Sequence, residues 1–375
     1  MVFHPHTIAI IATHKCTAAC DHCCFSCSPK VDDAIPVSKI YEILNQAANI
    51  KSIKVVVFTG GEVFLLGDDL PKLVKHANNL NLHVRIVTNG YWATNDAVAT
   101  KKITLLKEAG LNDLNLSTGE MHAEYVDPEN VKRAAVISAR MGLHTVVMVE
   151  VFQKANFDMD KFLGDGEFSR LASEGEINLL PSPWMEFSGK STVKHVPSYN
   201  KHIEKNASGG CSTVMNVVAI CPKQSVVACC GLPMEIIPEL HLGNLKSNTL
   251  REVIDRAPND FFKIWMHIEG PDGIMKFLSS LDPALSFPEN TVHICDKCRF
   301  LYQNPSVKNL LTEHLPPNRN EIVSAFMSGQ LIKHQTKTDR VDIDVFKAIC
   351  NSKRASNLFN MAVQETDTKP VLAEV

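Results

Sequence analysis

No stretch of this 375-residue sequence approaches the roughly 18 consecutive apolar residues that a membrane-spanning helix needs. The opening, MVFHPHTIAIIATHKC, lacks the basic n-region and the small-residue cleavage site of a secretory signal. Neither sign of charge is in excess. The 38 Lys and Arg residues face 41 Asp and Glu, a net of −3, so the balance gives no reason to expect nucleic acid or a membrane surface as partner. Internal repeats and low-complexity segments are also missing. These absences lead us to expect a cytoplasmic protein. A composition that is 45% hydrophobic and 21% charged is ordinary for a globular chain with a real core. The length suggests one large domain, or a large one with a small one.

Cysteine breaks this plain pattern. The 12 cysteines fall at 16, 20, 23, 24 and 27, then at 211, 221, 229 and 230, then at 295 and 298, with Cys350 alone. None lies between 27 and 211. In a reducing compartment, clustered thiols more often bind metal or do redox chemistry than form structural disulfides. Two separated groups suggest two sites.

From residue 7 to about 180 the pattern is strand then helix, repeated. Short apolar, β-branched runs predict strands at 7–13, 53–59, 83–90, 111–118, 144–152 and 176–181. Helical spacing of apolar residues predicts helices at 38–50, 69–80, 96–110 and 128–142, with 159–175 mostly helical. Six such units with non-alternating strands imply a parallel sheet with right-handed crossovers. Six are too few to close an eight-stranded barrel, so the expected fold is α/β, a partial (β/α)6 TIM-like barrel. In such sheets ligands bind at the C-terminal ends of the strands. There the sequence places the first cysteine loop, then TGGE (59–62), TNG (88–90) and STGEMH (117–122), with Glu150 near the end of strand 5. Any one of these glycine-containing turns is ordinary. Three on one face beside a cysteine cluster, with Glu150 near them, are not.

Cys16, Cys20 and Cys23 read C-x3-C-x2-C. Three thiolates can hold three irons of a [4Fe–4S] cluster and leave the fourth iron open. Ferredoxin spacings supply four cysteines, and zinc sites also want four protein ligands. Cys24 and Cys27 could supply a fourth, so spacing alone leaves zinc open. The sequence is similar to the radical S-adenosylmethionine (radical SAM) family. Its hallmark C-x3-C-x-Φ-C follows the first strand of a partial (β/α)6 barrel, here with His22 at Φ, and its GGE motif after strand 2 matches Gly60, Gly61 and Glu62. The resemblance covers residues 7 to about 180.

That resemblance implies a cofactor pair, a [4Fe–4S] cluster on Cys16, Cys20 and Cys23 and S-adenosyl-L-methionine (SAM) on the open iron. Glu62 and the backbone of Gly60 and Gly61 would accept the methionine ammonium, and Asn89 and Ser117 lie where the family contacts SAM. Reductive cleavage of SAM yields a 5′-deoxyadenosyl radical that abstracts hydrogen from the substrate. The family's strand-4 segment often reads S-x-D followed by His. Here Thr118, Gly119 and Glu120 follow Ser117, so the Asp is absent. Cys24 and Cys27 read as packing residues, or as thiols near the radical site.

Residues 181–210 break the α/β pattern with Pro, Ser, Lys and Gly. Two β-branched runs, TVMNVVAI and SVVAC, then flank PKQ in a hairpin signal that places Cys211 before it and Cys229 at its end. After helical pieces at 249–256, 260–268 and 273–281, Cys295 and Cys298 close the group as C-x2-C. This resembles the SPASM domain, or its shortened twitch form, appended to many radical SAM enzymes. The resemblance implies an auxiliary [4Fe–4S] cluster on Cys211, Cys229, Cys295 and Cys298. A zinc site is the alternative, and Cys221 is a packing residue or a spare ligand. Adjacent side chains on an extended segment point to opposite sides. If Cys229 faces the cluster, Cys230 faces away, and its weak S–H bond suits a hydrogen-atom donor such as a radical SAM peptide epimerase uses.

The expected organisation is a radical SAM core at 1–185, a linker at 186–208, the SPASM/twitch domain at 209–304 and a helical extension at 305–375, with helices at 319–335 and 341–363 and Cys350 as a core residue. The leading expectation is an enzyme that modifies a ribosomally synthesised peptide by L-to-D epimerisation at Cα, with Cys230 as donor. Thioether, C–C or C–O crosslinking is the alternative within the class, with small-molecule dehydrogenation a third outcome. A non-catalytic metal-binding module is the alternative of another class, and GGE after strand 2 speaks against it. Expected partners are the precursor peptide and an electron donor such as flavodoxin or ferredoxin. Strand 1 begins within the first ten residues and leaves no room before it for a winged-helix recognition domain, so a separate leader-recognition protein is a further expected partner.

Overall fold

The computed structural model describes residues 3–151, 157–183, 210–257, 260–287 and 293–335. The six expected units are present. They run β1 (Thr7–Thr13), α1 (Val37–Ala48), β2 (Val55–Gly60), α2 (Asp69–Asn79), β3 (His83–Thr88), α3 (Asp96–Ala109), β4 (Asp113–Thr118), the single turn α4 (Glu120–Ala123), α5 (Pro128–Arg140), β5 (His144–Val151), α6 (Met159–Leu163), α7 (Glu167–Ser173) and β6 (Ile177–Pro183). All seven residues of β1 are buried, as expected for a strand covered on both faces. Helix α1 buries Ile40, Ile43, Leu44 and Ala47, the i, i+3, i+4, i+7 stripe that presses a helix onto a sheet. Each such Ile or Leu removed from water stabilises the fold by roughly 1.5–3 kcal/mol.

The expected helix at 159–175 is two short helices. Gly164 at φ +58° ends α6, a conformation that β-carbon-bearing residues disfavour, and α7 restarts after Gly166. The two pieces expected at 260–268 and 273–281 instead form one bent run, α9 (Phe261–Leu281), after α8 (Leu250–Arg256). Gly270 at φ +66° takes up the bend and Pro271 follows it without an N–H to donate. Then come α10 (Ile294–Gln303), α11 (Pro305–Glu313) and α12 (Arg319–Gln335). The helix expected at 341–363, and Cys350 within it, lie outside the described residues, as does the linker at 186–208.

Among the described residues nine strands make one sheet in the order β6-β5-β4-β3-β2-β1-β7-β8-β9. Strands β1 to β6 are parallel neighbours in sequence order. β6 does not pair back onto β1, so the barrel stays open. The hairpin expected after residue 211 forms as β7 (Val217–Ile220) and β8 (Ser225–Val227), antiparallel. It is not a free-standing ribbon. β7 pairs in parallel with β1, Thr7 opposite Val217 and Ile10 opposite Ile220. The apolar run VVAI satisfies the backbone edge of β1 and brings the second cysteine group to the first. β9 (His241–Asn244) completes the sheet. The tail helix α12 docks on α9: Asn318 Nδ2 donates to Glu269 Oε1 at 3.1 Å, and the buried Phe326 ring meets His267 edge-on at 5.7 Å.

Two glycines set the distance between β2 and the first cysteine loop. A Cβ on Gly60 would lie 2.4 Å from Thr13 O, and one on Gly61 2.2 Å from Lys15 O. Their place is taken by backbone hydrogen bonds: Gly61 N donates to Thr13 O at 2.6 Å and Glu62 N to Lys15 O at 2.9 Å. Gly61→Ala forces a β-carbon into backbone that cannot move without dislodging the loop. We expect it to cost about 1–3 kcal/mol, seen as a lower urea midpoint of the metal-free protein and a reduced iron uptake. An unchanged midpoint and full iron uptake would show that the close approach is dispensable.

Candidate active site

The cysteine loop leaves β1 and is pinned where it returns. His14 N donates to Asp33 O at 2.9 Å, Thr13 Oγ1 to the same oxygen at 2.9 Å, and Cys16 N to Ser28 O at 3.2 Å. Between these ties the chain turns tightly, Cys23 N donating to Cys20 O and Ser26 N to Cys23 O, each at 3.1 Å. Cys16, Ala18 and Cys27 form a small buried cluster with Cys20, Cys23 and Phe25 packed on it. Backbone N–H groups point at the sulfurs: Ala18 N to Cys16 Sγ at 3.4 Å and Cys27 N to Cys23 Sγ at 3.3 Å. Burial pushes the Cys16 thiol up to about 11 and Cys20 higher still. Cys23 is lowered, because the Cys27 thiol hydrogen-bonds to it.

These residues face a cavity of about 260 Å³ at the C-terminal ends of the strands. Cys16, Cys20, Cys23 and His22 line it from the loop, and Gly60, Gly61, Asn89 and Ser117 from the strand ends. Glu62 does not line it. Its side chain is wholly buried behind the wall and accepts from Phe64 N, Thr88 Oγ1 and Asn89 N, each at 2.9 Å. Burial, only partly opposed by these bonds, raises its carboxyl to about 7. Glu62 therefore fixes the residues around it. One of them, Asn89, reaches into the site, donating from Nδ2 to Thr17 Oγ1 at 3.1 Å and lying 3.7 Å from Cys16 Sγ.

Sequence reasoning noticed Glu150 and the STGEMH segment but not what they build. Glu150 Oε2 lies 2.9 Å from His22 Nε2 and 2.7 Å from His122 Nδ1, and Oε1 accepts from Met121 N and, at 3.3 Å, from His122 N. The two imidazoles meet edge-on at 4.6 Å. Burial alone would raise the Glu150 carboxyl, but the hydrogen bonds from His122 and His22 outweigh it and bring it to about 2. The available signal was a lone carboxylate ending an otherwise apolar strand.

The second cysteine group gathers where the hairpin, the start of α9 and the first turn of α10 meet. Cys211 N donates to Met266 O at 2.9 Å, and Cys295 and Cys298 sit three apart on one face of α10. Burial raises all four thiols, and Cys229 is raised further by its neighbours Cys211, Cys295 and Cys298. A Cβ on Gly231 would come within 3.0 Å of Cys295 Sγ and 3.1 Å of Cys229 Sγ, so only glycine leaves the space between the sulfurs clear. Gly231 N donates to Cys229 Sγ at 2.9 Å. Cys221 stands apart from this set, its thiol hydrogen-bonded to Glu235 and to Ser225.

A zinc ion with Zn–S of about 2.3 Å holds its sulfurs about 3.8 Å apart. Among the described residues, Cys20, His22 and His122 are the one trio of such ligands whose atoms all lie within 4.8 Å of one another. Among the described residues, no three thiols of either cysteine group are that close.

An open β/α sheet with a three-cysteine loop at its C-terminal edge, closed by Gly-Gly-Glu, defines the class. Residues 10–136 match the Radical SAM superfamily, so the chain carries a radical SAM domain. That domain implies a [4Fe–4S] cluster and SAM, and the donor set on the cavity wall fits both. Among the relatives, the putative peptide biosynthesis protein YydG of Bacillus subtilis is 31% identical over 126 residues, 34% of this chain and 40% of YydG. A PqqA peptide cyclase of Xanthomonas oryzae pv. oryzae is 30% identical over 132 residues, 35% of this chain and 32% of the cyclase. The chain thus spans less than half the length of these relatives. The solved structure of native anSMEcpe with bound AdoMet and Kp18Cys peptide has a TM-score of 0.52 at 17% identity, covering 83% of this chain and 100% of that one. Streptococcus suis SuiB bound to precursor peptide SuiA gives 0.50 at 14%, covering 67% and 64%. At these identities the likeness is one of fold.

Protein purified without oxygen and reconstituted with iron and sulfide should hold about eight irons, four per cluster. The triple variant Cys16→Ala/Cys20→Ala/Cys23→Ala should hold about four and form no 5′-deoxyadenosine from SAM and dithionite. Zinc in place of iron would remove the cluster assignment.

Proposed function

We propose that the protein is a radical SAM enzyme that converts an L-residue of a ribosomally synthesised peptide to its D-epimer, with Cys230 as the hydrogen-atom donor. The observation that carries this reading is the path of the chain from 229 to 232. Cys229 is buried beside Cys211, Cys295 and Cys298, while Leu232, three residues on, lines the cavity. Cys230 lies between the two and is close enough to Cys24, itself on the cavity wall, to be felt by its thiol. Burial pushes the Cys230 thiol up to about 12, so at neutral pH it keeps the S–H that a hydrogen-atom donor needs.

When bound, the cluster and SAM supply the radical that removes the Cα hydrogen of the substrate residue. Residues of the chain do the rest. The strand ends hold the reacting residue in a cavity shielded from water, which protects a carbon radical from side reactions. Cys230 then gives its S–H hydrogen to the opposite face of the planar carbon. The thiyl left behind takes one electron, from a donor of the flavodoxin or ferredoxin type, and one proton to become a thiol again. The four remaining thiols, Cys211, Cys229, Cys295 and Cys298, are proposed to hold an auxiliary [4Fe–4S] cluster in a SPASM or twitch-type region. The printed names of the relatives, a peptide biosynthesis protein and a peptide cyclase, support a peptide as substrate.

The cyclase relatives favour crosslinking as a second reading, and mass separates the two. In deuterated water, an epimerised peptide gains about one dalton from the exchanged thiol, whereas a crosslink loses about two. We expect the one-dalton gain with wild type and its loss with Cys230→Ala, with 5′-deoxyadenosine still formed. A two-dalton loss that survives Cys230→Ala would replace epimerisation by crosslinking.

A further inference from the structure

The strand-4 segment lacks the aspartate that the related S-x-D pattern would place at 119, and the structure shows what fills that space. A Cβ built on Gly119 would lie 2.2 Å from Glu150 Cγ, 2.7 Å from its carboxyl carbon and 2.9 Å from Oε1. The side chain of a β5 residue therefore occupies the volume that a β4 side chain at this position would take. We infer that Glu150 is a positioning residue that supplies from β5 the carboxylate missing from β4, and that it braces His22 of the cysteine loop against His122 at the wall of the SAM site. This rests on the reading of the cavity as that site.

Counting acceptors decides what Glu150 can do. A carboxylate offers about four lone-pair positions. Four donors occupy them: Met121 N, His122 N, His122 Nδ1 and His22 Nε2. With none left over, Glu150 holds its neighbours and takes no ligand, although it lines the cavity. What it holds is a bridge between two loops. His22 sits between Cys20 and Cys23, and His122 belongs to the short turn after β4. One ring nitrogen of each lies within 4.8 Å of Cys20 Sγ and of the other. The carboxylate also fixes how His22 is presented. Because Nε2 is spent on Glu150, Nδ1 is the ring nitrogen that remains, and it is buried without a hydrogen-bond partner among the described residues. A buried polar atom left unpaired costs roughly 1–3 kcal/mol, so an occupant of the cavity that bonds to it is favoured. Without Glu150 the ring can rotate, and the cysteine loop loses its tie to β5 and to His122, keeping toward the segment after β4 the Tyr125 hydroxyl on Ala19 O at 3.1 Å.

The test uses the anaerobically reconstituted full chain and four proteins: wild type, Glu150→Gln, His122→Phe and the double variant. Gln keeps the size of the side chain but turns one acceptor position into a donor that faces an N–H. Iron content and the circular dichroism spectrum report folding and cluster loading. SAM affinity by equilibrium dialysis, and the change that SAM produces in the electron paramagnetic resonance spectrum of the reduced protein, report the site. We expect wild-type iron content in Glu150→Gln, SAM affinity weaker by about 10–100-fold and a diminished spectral change. The double variant should bind SAM no more weakly than the worse of the two singles, because both remove one brace. Affinity within twofold of wild type, an unchanged spectral response, or fully additive losses would overturn the inference. A variant that loses its iron or its fold would be replaced by Glu150→Asp, which keeps the charge and shortens the reach, read against the same criteria. Wild type that binds no SAM would overturn both this inference and the reading it rests on. SAM binding that depends on Glu150, in a protein that leaves peptides unepimerised, would remove only the epimerase reading.

Discussion

Everything at the mouth of this barrel depends on one close approach, the backbone of Gly60 and Gly61 lying directly on that of Thr13 and Lys15. A cysteine loop carries little apolar surface of its own and cannot hold a shape by burial. Its geometry must come from what it is tied to. The Gly-Gly contact ties its first residues to the end of β2, and the bonds from Thr13, His14 and Cys16 to Ser28 and Asp33 close it from the other side. Glu62 follows at once in the chain and carries the same constraint outward to Thr88 and Asn89 at the end of β3. Asn89 then returns to the loop at Thr17. The path is a closed ring of hydrogen bonds through three strand ends, and the thiols sit inside it.

How much of this was legible in the sequence depends on the range of the interaction concerned. Strands β1 to β6 were readable because each is an apolar run with local punctuation, and β1 and β3 begin where the run begins. The C-x3-C-x2-C loop and the GGE turn were readable because their chemistry is contiguous. β9 was not: HLGN has neither alternation nor an apolar run, and it is a strand because β8 offers it an edge. The parallel pairing of β7 with β1 joins residues 210 apart, as Thr7 with Val217, and no local pattern encodes it. The brace at Glu150 was hidden for the same reason. Its three components lie on the cysteine loop, the turn after β4 and strand β5, and only the fold brings them within hydrogen-bond reach.

The pairing of β7 with β1 also settles a question of architecture that the spacing of the cysteines raised. A second thiol group on a separate domain would need a defined interface to act together with the first. Here Cys211 and Cys229 flank a hairpin that extends the same sheet, while Cys295 and Cys298 come from α10, so the strand that leads into the first cysteine loop is also the strand on which the hairpin is built. The register is fixed by four residue pairs, all buried but for the half-buried Val217. Leu232 follows shortly after β8, and its placement on the cavity wall is inherited from that register. A slip of one residue would turn each side chain to the other face.

Two buried carboxylates near the site titrate in opposite directions, and the reason bears on what the cavity accepts. Glu150 is held low by two imidazoles, whereas Glu62 has only neutral N–H and O–H donors, and burial wins. Glu62 also raises the thiol of Cys16, the cost of keeping like charges close in a region with little water. Thiolates on Cys16, Cys20 and Cys23 would add to the same negative field, and among the described residues no Lys or Arg lines the cavity to offset it. A site built this way is most stable with a cationic occupant. The sulfonium of SAM is such a cation, its ammonium being balanced by its own carboxylate, so the negative charge of the loop and of Glu150 would be met in part by the cosubstrate itself.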